Sequence, residues 1–326
     1  MWLRHRFVLG LLCSGFLGMP FFSVAAPANY PAGPVSLVVP FSPGGGTDFV
    51  ARAFANSLSS TLGDTVVVRN QGGAGTTIGT GFVARSAPNG QTLLLSGSTM
   101  TYLPAMYKSL TFDVKKDLTP VAFVSDQPYA LLVNKDFPAS SLSDLIAQAK
   151  QSPGQIPYGS AGIGSAMHLS AAMLWQKAGI DLLHVPYPGT GQAMNDLIAG
   201  RIKVVYTTAA GAMGMIKAGT VKALAVSSAR RLSVLPDIPT LSEAGLNGFT
   251  QGSWLAVFAP GKTPPGTINK ISDAVHRALS DPHLVQQMES QGLEIKTGTP
   301  AQIKTFFDNE IDRWTAVIQA AGIKPQ

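Results

Sequence analysis

Two glycine-rich stretches carry residue types and spacings from which binding chemistry can be built. Residues 40–48 (PFSPGGGTD) place Gly44, Gly45 and Gly46 between Ser42 and Asp48. Glycines let a backbone turn sharply and bring its amides close to a ligand. Thr47 or Asp48 then opens a helix, whose N-terminal amides and dipole favour an anion. A glycine-rich turn with Asp48 as an ordinary cap explains this stretch equally well when it is taken alone. Residues 158–168 (YGSAGIGSAMH) repeat the design: Gly159, Gly162 and Gly164 expose amides, Ser160 and Ser165 supply hydroxyls, and Ser165 caps the next helix. The repetition favours an anion site. His168 falls in the first turn of that helix, where a structural hydrogen bond fits better than a general base. Ser98 in the run 96–99 (SGST), Tyr187 and Thr190 in 186–191 (PYPGTG), and Thr207 with Thr208 offer further hydroxyls after other strands. Each alone is an ordinary turn, and that reading is preferred for Thr208.

Enzyme chemistry is harder to assemble. No G-x-S-x-G elbow occurs; Gly159-Ser160-Ala161-Gly162 and Gly164-Ser165-Ala166 only echo one. His5, His168, His184, His276 and His283 show no metal-ligand spacing. The run 73–79 (GAGTTIG) is faintly like a dinucleotide loop, yet no acid follows the next strand, and no Walker motif is present. Neutral donors without a base suit holding an anion rather than transforming it. No catalytic residue, metal or cofactor is expected.

The loops need strands and helices to hold them. Short β-branched runs alternate with helical patterns, the signature of an α/β fold with a mainly parallel sheet. Residues 35–41 (VSLVVPF) read as a buried strand, and a helix follows over 47–62 with Val50, Phe54, Leu58 and Leu62 on one face and Gly63 as its stop. Further strands are expected at 65–68, 92–95, 130–133, 156–158, 182–185, 204–206, 221–226 and 254–258. Helices are expected at 78–86, along Leu142, Leu145, Ile146 and Ala149, at 165–177, along Ile268, Ile271, Val275 and Leu279, and after the start signals Asp281-Pro282 and Thr299-Pro300. Thr240 and Glu243 have capping-box spacing. The pattern restarts near Val121 and returns in the last third. Two lobes joined by two crossings, near 122–128 and 250–254, fit this order: 26–123 with 254–326 in one lobe, 124–253 in the other.

At the start of the chain, Arg4 and Arg6 precede a charge-free run over 7–24 that ends in Ala25 and Ala26, the order of a secretory signal peptide over 1–25. Gly10, Ser14, Gly15, Gly18 and Pro20 dilute the run too far for an anchor, and Leu12 before Cys13 argues against a lipoprotein. Cleavage leaves 301 of the 326 residues, room for about two domains. It also removes Cys13, the only cysteine, and with it any disulfide or thiolate site. Only 13% of residues are charged, against about 25% in an average domain. Losing Arg4 and Arg6 takes the formal net charge from +6 to +4, too mild and scattered for nucleic acid. Residues 151–176 lack Asp, Glu, Lys and Arg, but proline, glycine and serine break them, so no later membrane span is expected.

Taken together, these motifs resemble the extracytoplasmic receptors of tripartite tricarboxylate transporters, the Bug receptor family. The resemblance is carried by 40–48 (PFSPGGGTD), 70–80 (NQGGAGTTIGT), 87–95 (APNGQTLLL), 158–169 (YGSAGIGSAMHL), 184–200 (HVPYPGTGQAMNDLIAG), 222–228 (KALAVSS), 236–245 (PDIPTLSEAG) and 254–260 (WLAVFAP). Their order over nearly the whole mature chain is specific, although no single motif decides it. The resemblance implies a periplasmic binding protein-like fold: two α/β lobes with parallel or mixed sheets, joined by a two-strand hinge and closing on a ligand. It also implies a carboxylate held by amides, hydroxyls and water. Residue by residue, that carries to Ser42, Gly44, Gly45, Gly46 and Asp48, and to Ser160, Gly162, Gly164 and Ser165. Ser98, Tyr187 and Thr190 are weaker transfers. Where the family commonly has an acid after the Ala-Gly-x turn and another after the next strand, this chain has Lys203 and Thr207, which leaves the ligand's identity open. Thr207 is kept among the expected ligand-binding residues.

The expectation is therefore a periplasmic solute-binding receptor, not an enzyme. It is expected to be monomeric, to capture a small carboxylate for membrane permease subunits, and to have no nucleic-acid partner. A sensory receptor of the same fold, signalling to a membrane protein, is an alternative that sequence does not separate. A secreted hydrolase using Ser160 or Ser165 is a remote third. The loop segments contain no Lys or Arg and a single acid, Asp48, which points to a simple mono- or dicarboxylate rather than an amino acid. Protein purified from the periplasm is expected to begin at about residue 26 by the signal-peptide pattern; an intact mass that retains Met1 would overturn this.

Overall fold

The computed structural model describes residues 30–43, 46–320 and 325; the leader expected at 1–25 and the loop glycines Gly44 and Gly45 lie outside the described residues. The chain opens with β1 (Val35–Val39), α1 (Gly46–Leu62), β2 (Val66–Asn70), α2 (Thr77–Ala84), β3 (Thr92–Gly97) and α3 (Thr99–Met106). One long strand, β4 (Leu118–Asn134), leads into α4 (Leu142–Gln151), β5 (Pro157–Ser160), α5 (Ala166–Ala178), β6 (Leu183–Pro186), α6 (Thr190–Ile198), β7 (Val204–Thr208), α7 (Ala209–Lys217) and β8 (Val221–Val226). The chain returns through β9 (Gly252–Pro260) to α8 (Pro265–Ala278), α9 (Pro282–Glu289), β10 (Glu294–Ile295) and α10 (Pro300–Ala320).

Local signals explain the element starts. Helix α1 buries Val50, Phe54 and Leu58, the stripe its spacing sets. Asp281 accepts the His283 N–H to cap α9, with Pro282 in the first turn. Ser165 accepts the His168 N–H to cap α5. Thr240 and Glu243 exchange both bonds of a capping box, at 2.8 and 3.0 Å, but they close a turn rather than a helix.

The strand order β2-β1-β3-β9-β4-β7-β5-β6 is symmetric about the central β9–β4 pair. On either side the outer strands pair in parallel: β1 with β2 and β3, and β5 with β6 and β7. The pairs β3–β9, β9–β4 and β4–β7 are antiparallel. The mainly parallel sheet read from the sequence is thus a mixed one. The two parallel units are joined by strands that cross between them, and crossing strands run both ways. Along β4, Leu118 to Pro128 pair with β9, and Tyr129 to Asn134 pair with β7 and β8. The pattern showed only 130–133 as strand because Pro120, Ser125, Asp126, Gln127 and Pro128 interrupt the apolar run. Strand prolines survive where a ladder is irregular, and the β4–β9 register slips between Pro120 and Ala122 and again between Phe123 and Ser125.

Strand directions follow from this pairing. Two antiparallel steps make β3 run the same way as β4, and one step makes β7 run against it. The carboxyl ends of the two parallel units therefore point towards one another. Gly97, at the end of β3, lies opposite Leu255, which lies opposite Ser125; Thr208, at the end of β7, lies opposite Tyr129. Ser125 and Tyr129 are separated by about 13 Å of strand at 3.3 Å per residue.

Each side has its own apolar core. Val38, Phe54, Leu94, Phe258, Ile271 and Phe307 belong to the first. On the other side the sheet is covered on both faces, with Leu131 and Val133 packed one way and Ala130 and Leu132 the other. A smaller cluster joins the sides: Leu169 of α5 packs with Tyr102 and Met106 of α3 and with Trp314 and Ile318 of α10. Tyr102 and Trp314 meet edge to face, with centroids 4.9 Å apart.

The β3–β9 contact leaves Gly97 no room, since a Cβ there would overlap the Trp254 carbonyl oxygen. Gly97→Ala is expected to cost about 1–3 kcal/mol through overpacking. The expected readout is a lower urea midpoint with an unchanged slope; an unchanged midpoint would show that the two strands yield.

Candidate functional site

On the first side, β1 hands the chain to the exposed Ser42, and α1 begins at the exposed Gly46. Asp48 is the third residue of α1. It lies inside the first turn of α1 and is buried; its Oδ2 accepts from Arg52 Nε at 3.0 Å and its Oδ1 from Asn70 Nδ2 at 2.9 Å. Asn70 Nδ2 also donates to the Phe41 carbonyl at 3.3 Å, and Arg52 Nη2 donates to Asn70 Oδ1 at 3.1 Å. The carboxylate is charge-compensated, and it ties the end of β2 to α1 and to the chain leaving β1. Sequence reading missed Arg52 and Asn70, although the i, i+4 spacing of Asp48 and Arg52 is a legible signal.

On the second side, Ser160 ends β5 fully buried. Its Oγ lies 2.6 Å from His184 Nε2, donates to the Gly162 carbonyl at 3.1 Å and accepts the Gly162 N–H at 3.2 Å. Gly164 has φ +74°, and its N–H donates to His168 Nδ1 at 3.1 Å. His168 returns its own N–H to Ser165 Oγ at 3.2 Å. The amides of Gly162 and Gly164, expected for the ligand, are therefore taken by partners within the chain, and both serine hydroxyls are engaged. His168 and His184 stack at 4.1 Å and 10°, and Tyr158 covers the other face of His184 at 5.0 Å. Burial lowers the pKa of His168; burial, then the neighbouring His168, pushes that of His184 down to about 4. Both rings are neutral near pH 7. Their pairing was not legible, because His184 lies on β6 and meets His168 only when β6 is laid beside β5.

The remaining expected residues divide into two groups. Ser98 is buried where β3 ends, its Oγ 2.7 Å from Ser253 Oγ on β9, and Thr207 is buried near the end of β7. Tyr187 donates its backbone N–H to the Ser160 carbonyl at 3.0 Å, but its hydroxyl donates to Asp196 Oδ2 at 2.8 Å. Thr190 Oγ1 is 3.2 Å from Met167 Sδ, and Lys203 Nζ donates to the Gly200 carbonyl. The two sides touch next to the second loop: a methyl on Gly164 would overlap the Met106 side chain of α3. Two cavities, of about 370 and 320 Å³, lie elsewhere, one beside Ser57, Arg277 and His283, the other beside Ile78, Phe82 and Tyr107.

Where the strand ends converge, Ser96, Ser125, Gln127 and Trp254 each keep a buried polar side-chain atom with no partner among the described residues. They occupy three adjacent strands within a few register steps. The convergence can hold an anion with helix N-termini, hydroxyls and water. Among the described residues, no carboxylate bonds the His184 that meets Ser160.

Residues 50–323 match the family model described as tripartite tricarboxylate transporter family receptor. The periplasmic binding protein BugD is 37% identical and superposes with a TM-score of 0.81, over 91% of this chain and 100% of that one. The R. palustris protein Rpa4515, solved with adipate, is 32% identical with a TM-score of 0.84 over 91% and 100% of the two chains. MatC from Rhodopseudomonas palustris, solved with bound malate, is 33% identical with a TM-score of 0.78 over 89% and 100%. With the glycine loops, the symmetric strand order and these likenesses in place, the chain belongs to the receptor family of the tripartite tricarboxylate transporters.

Proposed function

We propose that this chain is a monomeric periplasmic receptor that holds a simple mono- or dicarboxylate where its strand ends converge and delivers it to membrane permease subunits. One electrostatic observation carries the ligand class. Each acid bordering the convergence is already compensated: Asp48 by Arg52 at 3.0 Å, Asp126 by Lys296 at 2.9 Å and Asp196 by Arg201 at 2.6 Å. A ligand ammonium would be desolvated without a carboxylate of its own, which is costly. A ligand carboxylate meets the opening turns of α1 and α5 and the hydroxyls between them. Adipate on Rpa4515 and malate on MatC are carboxylates without an amino group, in keeping with this class.

In this reading, 26–123 with 254–326 form one lobe and 124–253 the other. They close about the paired crossings of β4 and β9, where the ladder is already irregular. Ser160 and His184 hold the loop in shape rather than attack the ligand, because Ser160 is enclosed and, among the described residues, no third group orients His184 as a base. The ligand leaves unchanged.

Calorimetry is expected to rank succinate and malate above aspartate, their aminated counterpart; tighter binding of aspartate would overturn the ligand class. Small-angle scattering is expected to show a smaller radius of gyration when the tightest of these dicarboxylates saturates the protein. An unchanged radius would overturn closure about the crossings.

A further inference from the structure

Capping boxes recur along the chain, and the one at the second glycine loop is built differently from the rest. At Ser141 with Asp144, Thr240 with Glu243, and Thr299 with Gln302, the hydroxyl accepts the N–H of the residue three on, whose carboxylate or amide oxygen accepts the first residue's N–H. At the start of α5, Ser165 accepts the His168 N–H in the same way, at 3.2 Å. There the returning group is an imidazole: His168 Nδ1 accepts from Gly164, one residue ahead of the cap, at 3.1 Å.

The difference has a physical reason at an anion site. A carboxylate in that place would set a full negative charge over the amides that open α5 and repel the ligand. A neutral imidazole supplies the same acceptor without the charge, but only while Nδ1 is bare and the ring proton sits on Nε2. Gly164, held in the left-handed region at φ +74°, is fixed by this bond on one side and by Met106 on the other.

The surroundings favour the neutral ring. His184 from β6 lies parallel to it at 4.1 Å, so two charged imidazoles would repel face to face. From β5, Tyr158 covers the far side of His184 and Ser160 meets its Nε2, while Asp181 acts on Tyr158 from beyond. Among the described residues no Asp, Glu, Lys or Arg bonds either imidazole.

We propose that His168 is the positioning residue of the second glycine loop: an uncharged acceptor that fixes Gly164 and leaves the first amides of α5 to an anion, so the loop is competent only while His168 is neutral. Burial, which lowers the pKa of His168 and with His168's help that of His184 to about 4, supports this. Because the neutral form is the bonded one and burial lowers the pKa of His168, the loop's contribution is complete above the ordinary histidine value of about 6.5 and is lost as pH falls through the lowered pKa of His168.

Three substitutions and a spectrum test this; only the binding arm rests on the carboxylate reading above. Imidazole 15N NMR of the ligand-free protein at a pH of about 7.5, above the ordinary histidine value, is expected to show His168 Nδ1 bare and Nε2 protonated. With malate as the probe, His168→Glu keeps an acceptor but adds the charge, and should bind at least about tenfold more weakly. His168→Gln keeps a neutral acceptor and should stay within about threefold of the parent at neutral pH. Its affinity relative to the parent should then rise as pH falls below 6.5. His168→Leu, lacking the acceptor, should lose affinity and show a displaced Gly164 amide resonance. A proton on His168 Nδ1, parental malate affinity in His168→Glu, or a parental pH profile in His168→Gln would each overturn the proposal. If malate binds none of these proteins, the carboxylate reading fails, and the nitrogen spectrum with the acid-induced shift of the Gly164 amide still decides the role of His168.

Discussion

The antiparallel pairing of β4 with β9 on one side and with β7 on the other is the constraint from which the rest of the molecule follows. From β4, two antiparallel steps through β9 reach the first parallel unit and one step reaches the second at β7, so the two units run in opposite directions. Their carboxyl ends then converge, and so do the helices that begin after them. The amino ends of α1 and α5 are turned towards the crossing by topology rather than by any contact between the loops. A helix start contributes about 0.3–1 kcal/mol to a nearby anion, more when partly buried. Bringing two together is a cheap way to build the proposed anion site from segments 40–48 and 158–168, which contain no lysine or arginine. The shared strand also explains its own odd sequence. Central strands rarely hold two prolines, a serine, an aspartate and a glutamine, but a crossing needs irregular register and polar atoms near the ligand more than it needs uninterrupted apolar residues.

Charge is handled in the same economical manner. Asp48, Asp126 and Asp196 could each have given the site a negative lining, yet each is bound to a cation. Asp48 and Arg52 belong to one helix, Asp126 is reached by Lys296 just after β10, and Arg201 lies five residues beyond Asp196. These pairs are exposed on at least one partner, so their worth is positional more than energetic. The loops themselves stay neutral. That neutrality is why the second loop consumes so many of its own donors: with Gly162 and Gly164 amides folded back on Ser160 and His168, the loop is rigid before a ligand arrives, and less ordering entropy is lost on binding.

Much of this was legible in the residues. Alternating strand and helix patterns located nearly every element, since Val50, Phe54 and Leu58 or the Asp281-Pro282 start are local signals with local consequences. The length of β4 was not, because its strand character from Leu118 to Pro128 comes from pairing with β9, and no window of that segment alternates cleanly. Helix α3 was missed for a related reason: Pro104 sits inside it, where a proline argues against a helix. The site was legible as types and illegible as partners. Glycines, serines and Ser165 as a cap could be read directly. That Tyr187 spends its hydroxyl on Asp196, that His184 meets Ser160, and that Asp48 is held by Asn70 from β2 depend on strand order, which no spacing encodes.

The small cluster between the sides sets how far such a site can be gated. Leu169 follows His168 directly, and it is packed against Tyr102, Met106, Trp314 and Ile318. Burying a leucine side chain is worth roughly 1.5–3 kcal/mol. The contact is thus comparable to one charge-assisted hydrogen bond of a bound carboxylate, about 1.5–3 kcal/mol. A much larger cluster would hold the proposed lobes together without ligand, and none at all would leave the whole ordering cost to the ligand. For the proposed closure, a contact of this size lies within the few kcal/mol over which differential ligand affinity can move a population. The turn of α5 that holds His168 therefore also carries, one residue later, the apolar contact that joins the two sides.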